Sequence, residues 1–146
     1  MSRPPPATRA QFKHFHPMPT RWMDNDVYGH VNNVVYYAWF DTAVNRFLID
    51  AGTLDIAASP TVGLVVETGC RYHASVTYPD TVEIGLRVAH LGTSSVRYEL
   101  AVFREGEDRA SAEAHFVHVY VDRATQRPVP IPDATRAAMR GLMAEA

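Results

Sequence analysis

The 146-residue chain contains one cysteine and one lysine. A lone Cys70 cannot build an internal disulfide framework, which fits a reducing cytoplasm. Lys13 precedes every motif of interest, so mechanisms that need a lysine further along the chain are excluded; the other members of the 14 basic residues are all arginine. No apolar stretch reaches membrane-spanning length without charge, so membrane insertion is not expected. The opening "MSRPPPATRA" lacks the apolar stretch of a secretory signal. A formal net charge of −2 gives no electrostatic case for nucleic acid or an anionic membrane as partner. Metal-ligand spacing is also missing. None of the seven histidines forms an H-x-x-x-H pair; His14 and His16 alternate along one strand face, while His115 and His118 face opposite ways.

What is present reads as one ordinary globular domain, with 47% apolar and 21% charged residues. Its prolines and want of hydrophobics make residues 1–10 a disordered lead-in, leaving 11–146 as the single domain. Two prolines confine the extended segment 14–23 to a sheet edge or a bulge. Residues 31–51 have helical length, end on Gly52, and carry apolar side chains at nearly every angle. Such a helix is expected to be buried on most sides, with Asp41, Asn45 and Asp50 marking a narrow wet stripe. Period-two, β-rich segments follow at 61–76, 81–92, 94–104 and 109–122, separated by short turns. A short helix opening at Pro132 and Asp133 closes the chain. Short turns between successive strands require antiparallel pairing. The economical packing is α+β: one antiparallel sheet wrapped around a long central helix.

The chemistry concentrates in "RWMDNDVYGHVNN" (21–33), where two aspartates, a glycine, a histidine and two asparagines precede the helix. A first helical turn offers unpaired backbone N–H groups and about half a positive charge, which suits a developing oxyanion. Gly29 permits a sharp turn and close approach of substrate to backbone. Asn32 and Asn33 suit capping, and His30 is expected to brace the turn by hydrogen bonding. Tyr36, Tyr37, Trp39 and Phe40 could line an acyl or aryl pocket, although core packing is the default for at least half of them. Rival readings fail on particulars. An EF-hand loop counted from Asp24 would place Tyr28 and Val35 at ligand positions. A G-x-S-x-G elbow is absent, since "GTSSV" lacks the second glycine and lies between strands. Asp-x-Asp phosphatases need a strand-end setting in a parallel fold and a later lysine. Cys70 falls within a strand pattern and reads as core.

The stretch "DNDVYGHVNNVVYYAWFD" (24–41), continued by "YHASVTYPDTVEIGLRVAHLGTSSVRYELAVFRE" and closed by "VDRATQRPVPIP", resembles the 4-hydroxybenzoyl-CoA thioesterase family of hotdog-fold acyl-CoA thioesterases. The likeness spans residues 15–133. It implies a homodimer or homotetramer with an acyl-CoA site at the subunit interface, and no metal or redox cofactor, coenzyme A being part of the substrate. It assigns Asp26 as the catalytic carboxylate and the backbone N–H of Asn33 as the group that polarises the thioester carbonyl, with His30 beside them. Asp24 is then structural, a cap for the turn. A carboxylate can attack the carbonyl directly, giving a mixed anhydride, or activate a water; an ordinary aspartate is a weak base at neutral pH, which favours attack. Gly29, Val31, Asn32 and Tyr36 would line the substrate. Arg71 and Ser95 are the candidates for coenzyme A phosphates, with Ser94, Arg97 and Arg123 also in suitable segments. Two other readings stay open: a non-catalytic module that binds acyl-CoA or acyl carrier protein, and a hotdog hydratase acting on enoyl or hydroxyacyl thioesters.

Overall fold

A computed structural model of the chain describes residues 4–143. Five strands form one antiparallel sheet in the order β1-β3-β4-β5-β2: β1 (His14–Pro19), β2 (Thr61–Tyr72), β3 (Thr81–Leu91), β4 (Ser95–Arg104) and β5 (Ala112–Asp122). The long helix α1 (Asn33–Asp50) lies against one face, and α2 (Asp133–Arg140) caps an edge beside β3. Elements and order match the sequence expectation, and β1, with Pro17 and Pro19, is an edge strand. Register decides what faces the helix. Val82, Ile84, Leu86 and Val88 of β3 join Val96, Tyr98, Leu100 and Val102 of β4 on the inner face, with Ala112, Ala114 and Phe116 from β5. From α1, Tyr36, Trp39, Phe40, Ala43, Val44 and Leu48 complete this core. His14 and His16 do share the inner face of β1, opposite Leu86 and Ile84, and His115 and His118 lie on opposite faces of β5.

Two expectations need correction. The helix is not buried on most sides: Val34 is 69% exposed and Ile49 40% exposed, because a single sheet covers only one side of it within one chain. Its apolar reach beyond that side is therefore uncovered surface. Nor do residues 4–10 form a disordered lead-in. Ala7 and Phe12 are buried with Ala101, Phe103 and Ala110 in a small cluster on the outer face of the sheet. The Ala7 N–H donates to Glu113 Oε2 (3.2 Å), and Arg9 stacks over Phe103 while pairing with Glu83. Composition missed this because the anchors are one small and one aromatic residue amid prolines; residues 1–3 of that call lie outside the described residues. Boundaries also shift, β2 ending at Tyr72 rather than continuing to residue 76. No helix among the described residues is long and apolar enough to cross a membrane.

Candidate active site

The polar knot folds into a tight loop fastened at both ends. Gly29 N–H donates to Asp26 O (3.0 Å) and Asp26 N–H to His30 O (2.9 Å), a reversal that puts Gly29 at φ 82°, where a Cβ would be strained. Asn25 bridges to Val31, whose N–H donates to Val76 O (2.8 Å), tying the loop to the segment after β2. Asn32 caps α1, its Oδ1 accepting from Val34 N–H at 3.0 Å, while its own N–H donates to Asp24 O. Asp24 is structural, as the sequence suggested. It is 1% exposed, accepts from Arg21 N–H (2.8 Å), and takes the Arg21 guanidinium on Oδ1.

Asp26 is partly buried, and one carboxylate oxygen accepts from Tyr28 N–H at 2.9 Å. That bond orients the carboxyl and leaves its second oxygen without a partner among the described residues. Asn33 is the first residue of α1; its N–H finds no acceptor there either, since Val34 N–H is the one satisfied by the cap. Asp26 and Asn33 line one cleft of about 440 Å³, together with His30, Val31 and Tyr36. Its far wall comes from residues that the sequence reading did not single out: Tyr72, His73 and Ser75. Tyr72 Oη donates to Asn33 O (3.3 Å) and packs edge-on to Tyr36, and His73 Nε2 is 2.7 Å from Glu113 Oε2. Their signal was present in "CRYHASV", where period-two patterning fails after Tyr72, but it was absorbed into a longer strand. Burial pushes the Tyr36 hydroxyl up to about 12 and raises that of Tyr72 further, so both are neutral hydrogen-bonding groups at the cleft wall.

The remaining candidates divide. Gly29 and Asn32 shape the loop and the cap without lining the cleft. His30 braces the turn through its carbonyl, not its ring; the imidazole is exposed at the cleft and has no hydrogen bond among the described residues. Arg71 and Ser95 do not join the site. Arg71 points to the outer face of the sheet, in a separate cavity with Arg87, Arg97, Glu99 and His115, because strand alternation sends it opposite to Tyr72. Ser95 lies in the β3–β4 hairpin, where its carbonyl accepts from Gly92 N–H and its position pairs with Val119. Ser94 and Arg123 are likewise remote; Arg123 is tied to Ser59 O and Ile56 O. Cys70 faces inward against the core, and burial pushes its thiol up to about 11. No cluster of three or more His, Cys, Asp or Glu able to hold a metal ion is found among the described residues.

Comparison with solved structures gives close matches in fold. The PA5185 protein of Pseudomonas aeruginosa strain PAO1 is 55% identical, with a TM-score of 0.95, covering 97% of this chain and 99% of that one. The PA2801 protein of Pseudomonas aeruginosa is 34% identical, with a TM-score of 0.81 over 88% of this chain and 98% of its own. BH1999, a gentisyl-coenzyme A thioesterase, is 26% identical, with a TM-score of 0.77 over 86% and 99% of the two chains. Comparison with curated proteins gives no match. The family model of the thioesterase-like superfamily matches residues 20–139, running from the residue before the polar loop through nearly all of α2. With that span matched and the sheet and helix in the hotdog arrangement, the chain is a member of the thioesterase-like superfamily.

Proposed function

We propose that the protein hydrolyses the thioester of an acyl- or aryl-coenzyme A to the free acid and coenzyme A. The observation that carries this is the shared cleft. A carboxylate with a free oxygen and an unpaired amide at the start of an 18-residue helix open on the same space. The Asn33 N–H, backed by the helix dipole, would hold the carbonyl oxygen as it gains charge; one such donor lowers the barrier by about 2.7–4 kcal/mol in comparable sites. Asp26 would attack the carbonyl carbon itself or take a proton from an attacking water. In either route the C–S bond breaks and the sulfur leaves as the coenzyme A thiolate, which takes up a proton from solvent. The direct route adds a mixed anhydride that water then cleaves. The reaction needs no metal or further cofactor. BH1999, named for an aryl-coenzyme A substrate, supports keeping aryl groups in the class.

The active unit is read as a homodimer, or a pair of dimers, in the cytoplasm. Support comes from β2, an edge strand of 12 residues with Leu64, Val65 and Val66 exposed and no cover on its outer side. Such an edge invites a second copy. The test is thiol release from a panel of acyl- and aryl-coenzyme A thioesters, followed by a thiol-trapping dye. The wild type should turn over at least one of them, and Asp26→Ala should lose about 10²–10⁴-fold in kcat. Tight binding without release would favour the non-catalytic module, and equal rates in the two proteins would remove Asp26 from the chemistry.

A further inference from the structure

From the end of β2 onward the chain grips the polar loop and the helix start at three places. Tyr78 N–H donates to Asn25 Oδ1 (3.1 Å), and Val31 N–H donates to Val76 O (2.8 Å). Both of these hold residues that precede α1. The third lands on the helix itself, where Tyr72 Oη donates to the carbonyl of Asn33 at 3.3 Å. Asn33 is the first residue of α1, and its N–H is the group left to meet a thioester carbonyl. No intrahelical bond fixes such a first-turn amide, so its aim follows the placing of its own residue. A bond to the carbonyl of that residue therefore steers the amide from the other side.

Tyr72 is well placed to do this. It is the last residue of β2 and pairs with Ala112, so the sheet register sets its position. Its ring meets Tyr36, also in the first turn of α1, edge-on at 5.0 Å and 83°, and Tyr36 in turn packs against Trp39. Burial keeps the hydroxyl protonated and hence a donor. The tyrosine braces the first turn twice, by its ring and by its oxygen, from the far wall of the cleft. The bond is long for O–H···O, and such contacts in a free enzyme commonly tighten once substrate is bound.

Resting on the thioesterase reading above, we infer that Tyr72 is a positioning residue: its hydroxyl holds the first residue of α1 so that the Asn33 N–H meets the carbonyl oxygen as charge develops there. The test removes the hydroxyl and the amide separately and together. Tyr72→Phe keeps the ring against Tyr36 and should lower kcat about three- to ten-fold, the range one neutral hydrogen bond supports, with KM within about two-fold of wild type. Asn33→Pro deletes the N–H. Proline suits the first position of a helix, and Asn32 already has the extended backbone (φ −62°, ψ 139°) that a following proline requires. This variant should lose about 10²–10³-fold in kcat relative to Asn33→Ala, which lacks the side chain but keeps the amide. The double variant decides. If Tyr72 acts through the amide, adding Tyr72→Phe to Asn33→Pro costs nothing more. A further loss of about three- to ten-fold in that background overturns the inference, because the hydroxyl then acts elsewhere, on the substrate directly or on stability alone. Unchanged kcat in Tyr72→Phe overturns it too. Should Asn33→Pro fail to fold, the infrared carbonyl band of an acyl-coenzyme A held uncleaved on Asp26→Ala reads the same bond. Adding Tyr72→Phe should move that band back toward its value in water, and an unmoved band overturns the inference. A wild type inert toward every thioester, or Asn33→Pro as fast as Asn33→Ala, removes the parent reading itself; both are visible without touching Tyr72.

Discussion

His118 should make the stability of the fold depend on pH in a specific window. Its ring is enclosed between Tyr98 and Phe116, with centroids 5.4 and 5.9 Å away, and burial lowers its pKa from 6.5 to about 4, against a smaller opposing pull from Asp41. The unfolded chain takes a proton on this residue near pH 6.5, whereas the folded chain resists it until near pH 4. Between those values the unfolded state binds more protons, so stability falls as the pH drops; below pH 4 both states are protonated and the loss levels off. At 1.36 kcal/mol for each pH unit of difference, His118 should cost roughly 1 kcal/mol at pH 5.5 and roughly 2–3 kcal/mol at pH 4.5, relative to neutral pH. The assay is urea unfolding of wild type and His118→Phe at pH 7.5, 5.5 and 4.5, at one protein concentration because association contributes to stability. The gap between the two curves should close, or change sign, by those amounts on acidification. Parallel losses in the two proteins would refute the enclosed, neutral imidazole.

Three further perturbations test the packing. Phe40→Ala removes a fully buried ring that meets Phe116 edge-on from the middle of α1, and should cost about 3–5 kcal/mol in urea unfolding. Asp24→Ala strips the acceptor from Arg21 N–H beneath the active loop; the cap is worth about 1–2 kcal/mol, and the ion pair adds less than about 1 because the Arg21 side chain is 64% exposed. With its thiol raised to about 11, Cys70 should be about 10⁻³ thiolate at pH 8, so Ellman's reagent should label it slowly in the folded protein and at once in urea. Rapid labelling of the native form would contradict its packing against the core.

Much of the fold was legible because the signals were local. Period-two runs named four strands, Gly52 stopped the helix, and prolines placed β1 at an edge. Within the site, the residues readable in advance belong to the loop that precedes the helix, since contiguous residues must end up as neighbours. Tyr72 and His73, which close the cleft from 40 residues away, carry no motif; only the sheet register brings them there. Arg71 shows the reverse error. A cation beside the site in sequence lands on the other face of the sheet, because one step along a strand turns the side chain over. His118 belongs to no motif in the sequence, and its isolation depends on Tyr98 and Phe116, which sequence could not place around it.

The proline-rich start of the chain looks dispensable by composition, yet it works as a bung. Ala7 and Phe12 seal Phe103 and Ala101, a greasy spot on the back of a sheet that carries Arg71, Arg87, Arg97, Glu99 and Glu113 beside it. Shortening the protein past Phe12 would leave the catalytic loop untouched and uncork an adhesive rear surface. A trimmed version would then precipitate while its active groups stayed in order, and the failure could be mistaken for a broken enzyme.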